Sequence, residues 1–211
     1  NTLTGKPLPL DLNEPVNVAE SIRLMELKHA VVTSVDRDDL PDMGASHWVK
    51  TIQAIKTVNP GTTLEVLIPD FQGNLDLVDL IVSACPEIIS HNMETVRRLT
   101  PQIRSAAKYD VSLAVLKRIA EGGVVAKTGI MLGLGETEDE VLALMDDVLK
   151  TGVSVLTIGQ YLQPSRKNIP VSEYISPDCF EQYRIAALSK GFTHVESAPL
   201  VRSSYHAEKH V

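Results

Sequence analysis

Six short, continuously apolar and largely β-branched runs recur along the chain, and a segment with helical spacing separates each from the next. The runs are HAVVTSV (29–35), TTLEVLIPD (62–70), EIISHNME (87–94), VVAKTGIMLGLG (124–135), VSVLTIGQYLQ (153–163) and FTHVESAPLV (192–201). A strand that stays apolar along its length is covered on both faces, which is the environment of a parallel sheet. Strand and helix in strict alternation call for βαβ crossovers. Six strands, with a helical pattern ahead of the first, predict an α/β fold: a partial (βα)6 TIM-like barrel that lacks its first strand. No linker or composition break divides residues 1–211, so one domain is expected.

The helical segments carry their own punctuation. Thr137 and Glu140 form a T-x-x-E capping box, after which Val141, Leu144, Met145 and Val148 recur at helical spacing until Gly152 supplies a C′ stop. Ser176 followed by Pro177 repeats the start signal, and Phe180, Tyr183 and Ala187 lead to Gly191. Trp48, Ile52 and Ile55 mark another stripe, and 17–28, 75–84 and 111–121 read as further helices.

Composition removes several classes of function. A net charge of -7 without long like-charge blocks, and 4% aromatic residues, give no electrostatic footprint for nucleic acid. No apolar run approaches the roughly 20 residues that span a bilayer, and no basic-then-apolar leader opens the chain, so no membrane is expected. The two cysteines, Cys85 and Cys179, fall in segments that read as buried or helical, which suits reduced thiols in cytoplasm or an organelle matrix. No C-x-x-C spacing and no Ser, His and Asp motif occurs, which disfavours cysteine-ligated zinc sites and triad hydrolases.

In such folds chemistry collects at the C-terminal ends of the strands. The first end offers Asp36, Arg37, Asp38 and Asp39, where Asp and Thr side chains could hold ammonium or hydroxyl groups and Arg37 could clamp a carboxylate through both nitrogens. Asp70, at the second, reads as a turn former. At the third, His91, Asn92 and Glu94 suit a polyhydroxylated ligand such as a ribose. The fourth carries Gly129, Gly133 and Gly135 ahead of a helix N-terminus, a resemblance to a nucleotide loop that fits neither standard glycine motif. Gln160, Gln163, Ser165, Arg166 and Lys167 follow the fifth, where positive charge would suit an acidic or protein-borne substrate. The sixth runs into VRSSYHAE (201–208), and a chain end is ordinarily a frayed tail unless tertiary contacts hold it.

Taken in order, VVTSVDRDDL, EVLIPDFQG, HNMETV, KTGIMLGLGET, LTIGQYLQPS and VRSSYHAE resemble the lipoyl synthases, which are radical S-adenosylmethionine enzymes, over nearly the whole chain. The resemblance implies sulfur insertion at C6 and C8 of an octanoyl-lysine carried by a lipoyl domain or the glycine cleavage H protein, with a reducing electron donor. It also implies S-adenosylmethionine and two [4Fe-4S] clusters, one of them an auxiliary cluster held by three cysteines and a serine and consumed as the sulfur source. The serine is assigned to Ser204, with Ser203 the second choice, on a tail (199–211) folded back over the barrel mouth, and Arg202 fixes or shields it. For S-adenosylmethionine the resemblance points to Thr33, Ser34, Asn92, Glu94, Lys127, Gly133, Gln160 and Leu162, and for the substrate to Asp36, Arg37 and Arg166. The family's cluster cysteines are absent from this chain, so by itself it is expected to be inactive, with HAVVTSV an exposed edge prone to self-association. The alternative is a non-catalytic barrel that binds S-adenosylmethionine or a lipoyl carrier domain without turnover.

Overall fold

The computed structural model describes residues 5, 7–104 and 108–210, the last two as backbone only. Its strands are β1 (His29–Thr33), β2 (Thr63–Leu67), β3 (Ile88–Ser90), β4 (Val125–Leu132), β5 (Val155–Gln160) and β6 (His194–Ser197). They form one sheet in chain order, every neighbouring pair parallel. The helices are α1 (Glu14–Leu24), α2 (Ala45–Val58), α3 (Leu75–Ser83), α4 (Thr100–Ile103), α5 (Tyr109–Glu121), α6 (Glu138–Leu149) and α7 (Pro177–Lys190). This is the expected strand–helix alternation, and all six predicted strands form.

The pairing register sorts each strand into two faces. Ala30, Leu64, Val66, Ile89, Ala126, Ile130, Leu156 and Ile158 share one face and belong to the buried apolar core with α2, α3, α5 and α6. The other face carries polar groups at successive strands: Glu65 on β2, Ser90 on β3, Lys127 on β4 and Thr157 on β5, all buried. Lys127 Nζ lies 2.9 Å from Glu65 Oε2, and the Ser90 hydroxyl donates to Glu65 Oε1 at 2.6 Å. Glu65 and Lys127 meet across the intervening β3, a reach that the concave side of a curved sheet allows.

Capping chemistry sets the element ends. The Thr137–Glu140 box is complete in both directions, and Ser176 accepts from the Cys179 N–H at the start of α7. Gly152, at φ 89°, lies two residues past the α6 cap at Lys150, one place beyond the C′ position predicted for it. The second strand exit is a 3-10 turn over Phe71–Gly73, where Asp70 accepts from the Gln72 N–H, so Asp70 is the turn former it was read as. Cys85 is exposed and follows α3 at φ 56°, not buried in the helix as its segment suggested, while Cys179 is half-buried on α7 and both thiols are free.

Beyond β6 the described chain turns back onto the sheet. The Ala198 N–H donates to Ile158 O and the Gln160 N–H to Pro199 O, which carries the tail across the end of β5. A 3-10 turn at Ala207–His210 then packs against β1, with Ala207 buried, so the β1 edge expected to be bare is partly covered by the chain's own end.

Candidate functional site

Two adjoining cavities open at the C-terminal ends of the strands and share Asn92 and Glu94. One, of about 200 Å³, is floored by Gly129, Thr157 and Gly159 and rimmed by Leu162, Val201, Arg202 and Ser203. The other, of about 220 Å³, extends past Thr33, Ser34, Asp36, His91 and Arg104. Absent side chains make the floor of the first. A Cβ on Gly129 would lie 2.6 Å from Thr157 Oγ1 and 3.0 Å from Asn92 Oδ1, and one on Gly159 would collide with the Val201 carbonyl. Gly159 is therefore the seat on which the tail rests.

Asn92 and Glu94 reach the cavity because the chain turns sharply beyond β3. Glu94 adopts φ 64°, in the left-handed region that non-glycine residues seldom occupy. It is held there by donating its N–H to Gly129 O and accepting from the Met131 N–H, an isolated parallel bridge to Ile130. Burial raises the pKa of the Glu94 carboxyl, opposed by hydrogen bonding from Asn92 and the charge of Arg104. Burial also raises that of Asp36, aided by the charges of Asp38 and Asp70.

The tail supplies the opposite rim. Ser203 is half-buried and lines the first cavity beside Arg202, whose Nη1 donates back to Val201 O at 2.6 Å. Ser204 is exposed and is not among the lining residues. The two serines are the central residues of a turn closed by the Tyr205 N–H to Arg202 O, and only Ser203 borders the cavity.

Other predicted site residues lie elsewhere. Lys127 is 1% exposed and pairs with Glu65 below the floor, because its place near the start of β4 puts it a layer beneath Gly129. Arg37 bonds both oxygens of Asp39 at 2.8 and 2.9 Å, so the clamp proposed for a ligand carboxylate is occupied by a neighbour two residues on. It borders a separate cavity with Glu14, His47 and Trp48, on which Thr33 and Ser34 also open. Arg166 is exposed on the loop after β5, bordering neither cavity. Gly133 serves packing: its carbonyl accepts from the Ser172 N–H and its N–H donates to Glu136. Gln160 borders the first cavity but spends its amide on the loop, donating to Glu173 O and Tyr161 O and accepting from the Ile175 N–H.

Sequence reasoning missed Glu65, Ser112, Arg104 and Gly159. A glutamate inside the apolar run TTLEVLI was a visible signal of an inward-facing charge. Arg104 and Ser112 sit on a short helix end and a helix face, where no local pattern marks them.

Residues 2–148 match the family model for the Radical SAM superfamily. The whole chain is 82% identical to a lipoyl synthase of Parabacteroides distasonis and 69% identical to one of Porphyromonas gingivalis, and it spans 75% of the length of each. Among solved structures, methylornithine synthase superposes with a TM-score of 0.67 at 12% identity, over 95% of this chain and 68% of that one. The [FeFe]-hydrogenase maturase HydG gives 0.66 at 14%, over 91% of this chain and 50% of that one. At such identities these two establish the fold alone.

Proposed function

The chain belongs to the lipoyl synthases of the radical SAM superfamily, and from this premise we propose that the cleft between Asn92, Glu94 and the tail receives the adenosyl end of S-adenosylmethionine. The family's reaction inserts sulfur into an octanoyl chain on a lipoyl carrier domain. Bound S-adenosylmethionine, next to a reduced iron–sulfur cluster, supplies the radical chemistry that activates unreactive C–H bonds.

The cleft fits a nucleoside. Asn92 offers a donor and an acceptor, and Glu94 a carboxylate, on one side of a floor that Gly129 and Gly159 leave free of side chains. Ile130 and the half-exposed Leu162 give an apolar wall for a base. Thr33 and Ser34 border the second cavity, where they would meet the methionyl end.

For the clusters the fit is different. Among the described residues no group of three His, Cys, Asp or Glu side chains could hold a metal, and Cys85 and Cys179 stand outside the cleft. The cysteine ligands are assigned to the part of the relatives' length that this chain does not span. What this chain offers is the Ser203 hydroxyl at the rim, with Arg202 beside it, as a hard oxygen ligand to an auxiliary cluster. The exposed Arg166 and Lys167 on the neighbouring loop suit an approaching carrier domain, and the cytoplasm or an organelle matrix is the compartment proposed for it.

The observation that carries this reading is that Asn92 and Glu94 face the two adjoining cavities from a single strand exit. Titration of S-adenosylhomocysteine into the full-length protein tests it. Asn92→Ala and Glu94→Gln should each weaken binding on the order of tenfold or more, the value of one or two hydrogen bonds to a buried polar ligand. Unchanged affinity in both would reject the cleft. Intact-mass detection of sulfur gain on an octanoylated carrier domain separates the serines: Ser203→Ala should abolish it and Ser204→Ala should not.

A further inference from the structure

We infer that Arg104 is a positioning residue for the cleft: a two-armed clamp that holds the Asn92–Glu94 turn in its strained form. The inference rests on the reading of the cleft as an adenosyl site and adds to it a residue that borders the second cavity and acts on the nucleoside end through Asn92 and His91.

The segment from His91 to Glu94 leaves β3 without continuing the sheet, and most of its backbone hydrogen bonds go to β4. The His91 N–H donates to Lys127 O, and the His91 carbonyl accepts from the Thr128 hydroxyl at 2.8 Å. The same Thr128 oxygen accepts from the Met93 N–H at 3.1 Å, and the Glu94 N–H and carbonyl bond β4. The Met93 carbonyl accepts from the Thr95 N–H, and that of Asn92 has no partner on β4. Arg104 Nη1, at the end of α4, donates to it at 3.1 Å and also to Ser112 Oγ at 3.0 Å.

The second arm has a fixed direction. Ile68 O can only accept, so His91 Nδ1, 3.0 Å away, carries the proton. His91 Nε2 is then an acceptor and takes the Ser112 hydroxyl proton at 2.9 Å. Ser112, having donated, accepts from Arg104. A one-way chain therefore runs from Arg104 through Ser112 and the buried His91 to Ile68 O, bracing the residue immediately before Asn92 while the other arm holds Asn92 itself.

A clamp of this kind is called for because the turn is unfavourable by itself. A non-glycine residue at φ 64° costs on the order of 1–3 kcal/mol and persists only where its surroundings over-determine it. Without the Arg104 arm, the peptide that carries the Asn92 side chain loses its carbonyl partner and can rotate. Both cleft-facing side chains then lose their common orientation.

The test uses the full-length protein with two probes, 5′-deoxyadenosine and S-adenosylhomocysteine, titrated by calorimetry well below the unfolding temperature. Arg104→Met should weaken both probes by the same factor, on the order of tenfold, because what it disturbs is the nucleoside end that they share. Arg104→Lys, which keeps a donor for the Asn92 carbonyl, should recover most of the loss. Ser112→Ala cuts the His91 arm alone and should give a smaller, equally shared loss, which keeps the test alive should Arg104→Met fail to fold. A loss confined to S-adenosylhomocysteine would make Arg104 a direct contact of the amino-acid end and overturn the inference. So would unchanged affinities with a lowered melting temperature, which is the signature of a structural role only. Failure of the underlying reading looks different: Asn92→Ala would then leave both affinities unaltered.

Discussion

Replacing one partner of the Glu65–Lys127 pair should destabilise the protein with a pH dependence whose sign depends on which partner is lost. Both side chains are essentially inaccessible, at 0% and 1% exposure, and burial already pushes the Lys127 pKa down while Glu65 pulls it back up. In Glu65→Leu the lysine is orphaned and escapes by giving up its proton, which near pH 7 costs about 5 kcal/mol from an ordinary pKa of about 10.4. In Lys127→Met the glutamate, still held by Ser90, escapes by taking a proton, at about 4 kcal/mol from an ordinary pKa of about 4.3. These values agree with the roughly 3–5 kcal/mol seen when a buried pair is broken, and with a urea slope of about 2–3 kcal/mol per molar they lower the midpoint by about 1–2 M. The signs follow from linkage. For Glu65→Leu the unfolded chain binds the extra proton, so stability rises with pH by about 1.4 kcal/mol per unit. For Lys127→Met the folded chain binds it, so stability falls as pH rises. A double Glu65→Leu, Lys127→Met variant leaves no buried charge and should be milder than either single change and flat with pH, apart from the slope of the parent. Urea midpoints from pH 6 to 8 decide the matter. Parallel slopes for the two single variants would mean that water enters the lumen and that the ion pair is not dry.

The remaining predictions concern the cleft and its supports. His91 is held neutral by burial, with its pKa lowered to about 4. An unfolded histidine titrates near 6.5, so the unfolded chain takes up the proton first and stability is lost between those values as pH falls, on the order of 3 kcal/mol. His91→Gln should remove that part of the acid sensitivity in a pH series of urea midpoints. Gly159→Ala puts a methyl group into the Val201 carbonyl and should lift the tail, seen as faster protease cleavage between 199 and 208 and loss of probe binding. Gln160→Leu deletes the bonds to Tyr161, Glu173 and Ile175, so the loop between β5 and α7 should become the first site of limited proteolysis, while the described core keeps its circular dichroism.

The fold was legible because each element announces itself locally. Continuous apolar runs marked all six strands, and the Thr137 and Ser176 caps marked two helix starts to the residue. The site was legible where a polar residue sits directly at a strand exit, as Asn92 and Glu94 do. It was obscured wherever depth along the strand decides the outcome. Lys127 and Gly129 stand two residues apart in one motif on the same face of the sheet, yet one lies beneath the floor and the other forms it. Arg37 illustrates a second limit: its partner Asp39 is two residues away, and local pairing took the group assigned to a ligand. Long-range assemblies such as Arg104, Ser112 and His91 have no sequence signature, since their parts lie on different elements brought together by packing.

The most direct test of the central claim is a crystal structure of the full-length protein with S-adenosylhomocysteine. The ribose hydroxyls are expected within hydrogen-bond distance of Asn92 and Glu94, with the nucleoside lying over Gly129 and Gly159 and Ser203 at its rim. A nucleoside bound in the cavity of Glu14, His47 and Trp48, or at any site away from Asn92 and Glu94, would contradict it.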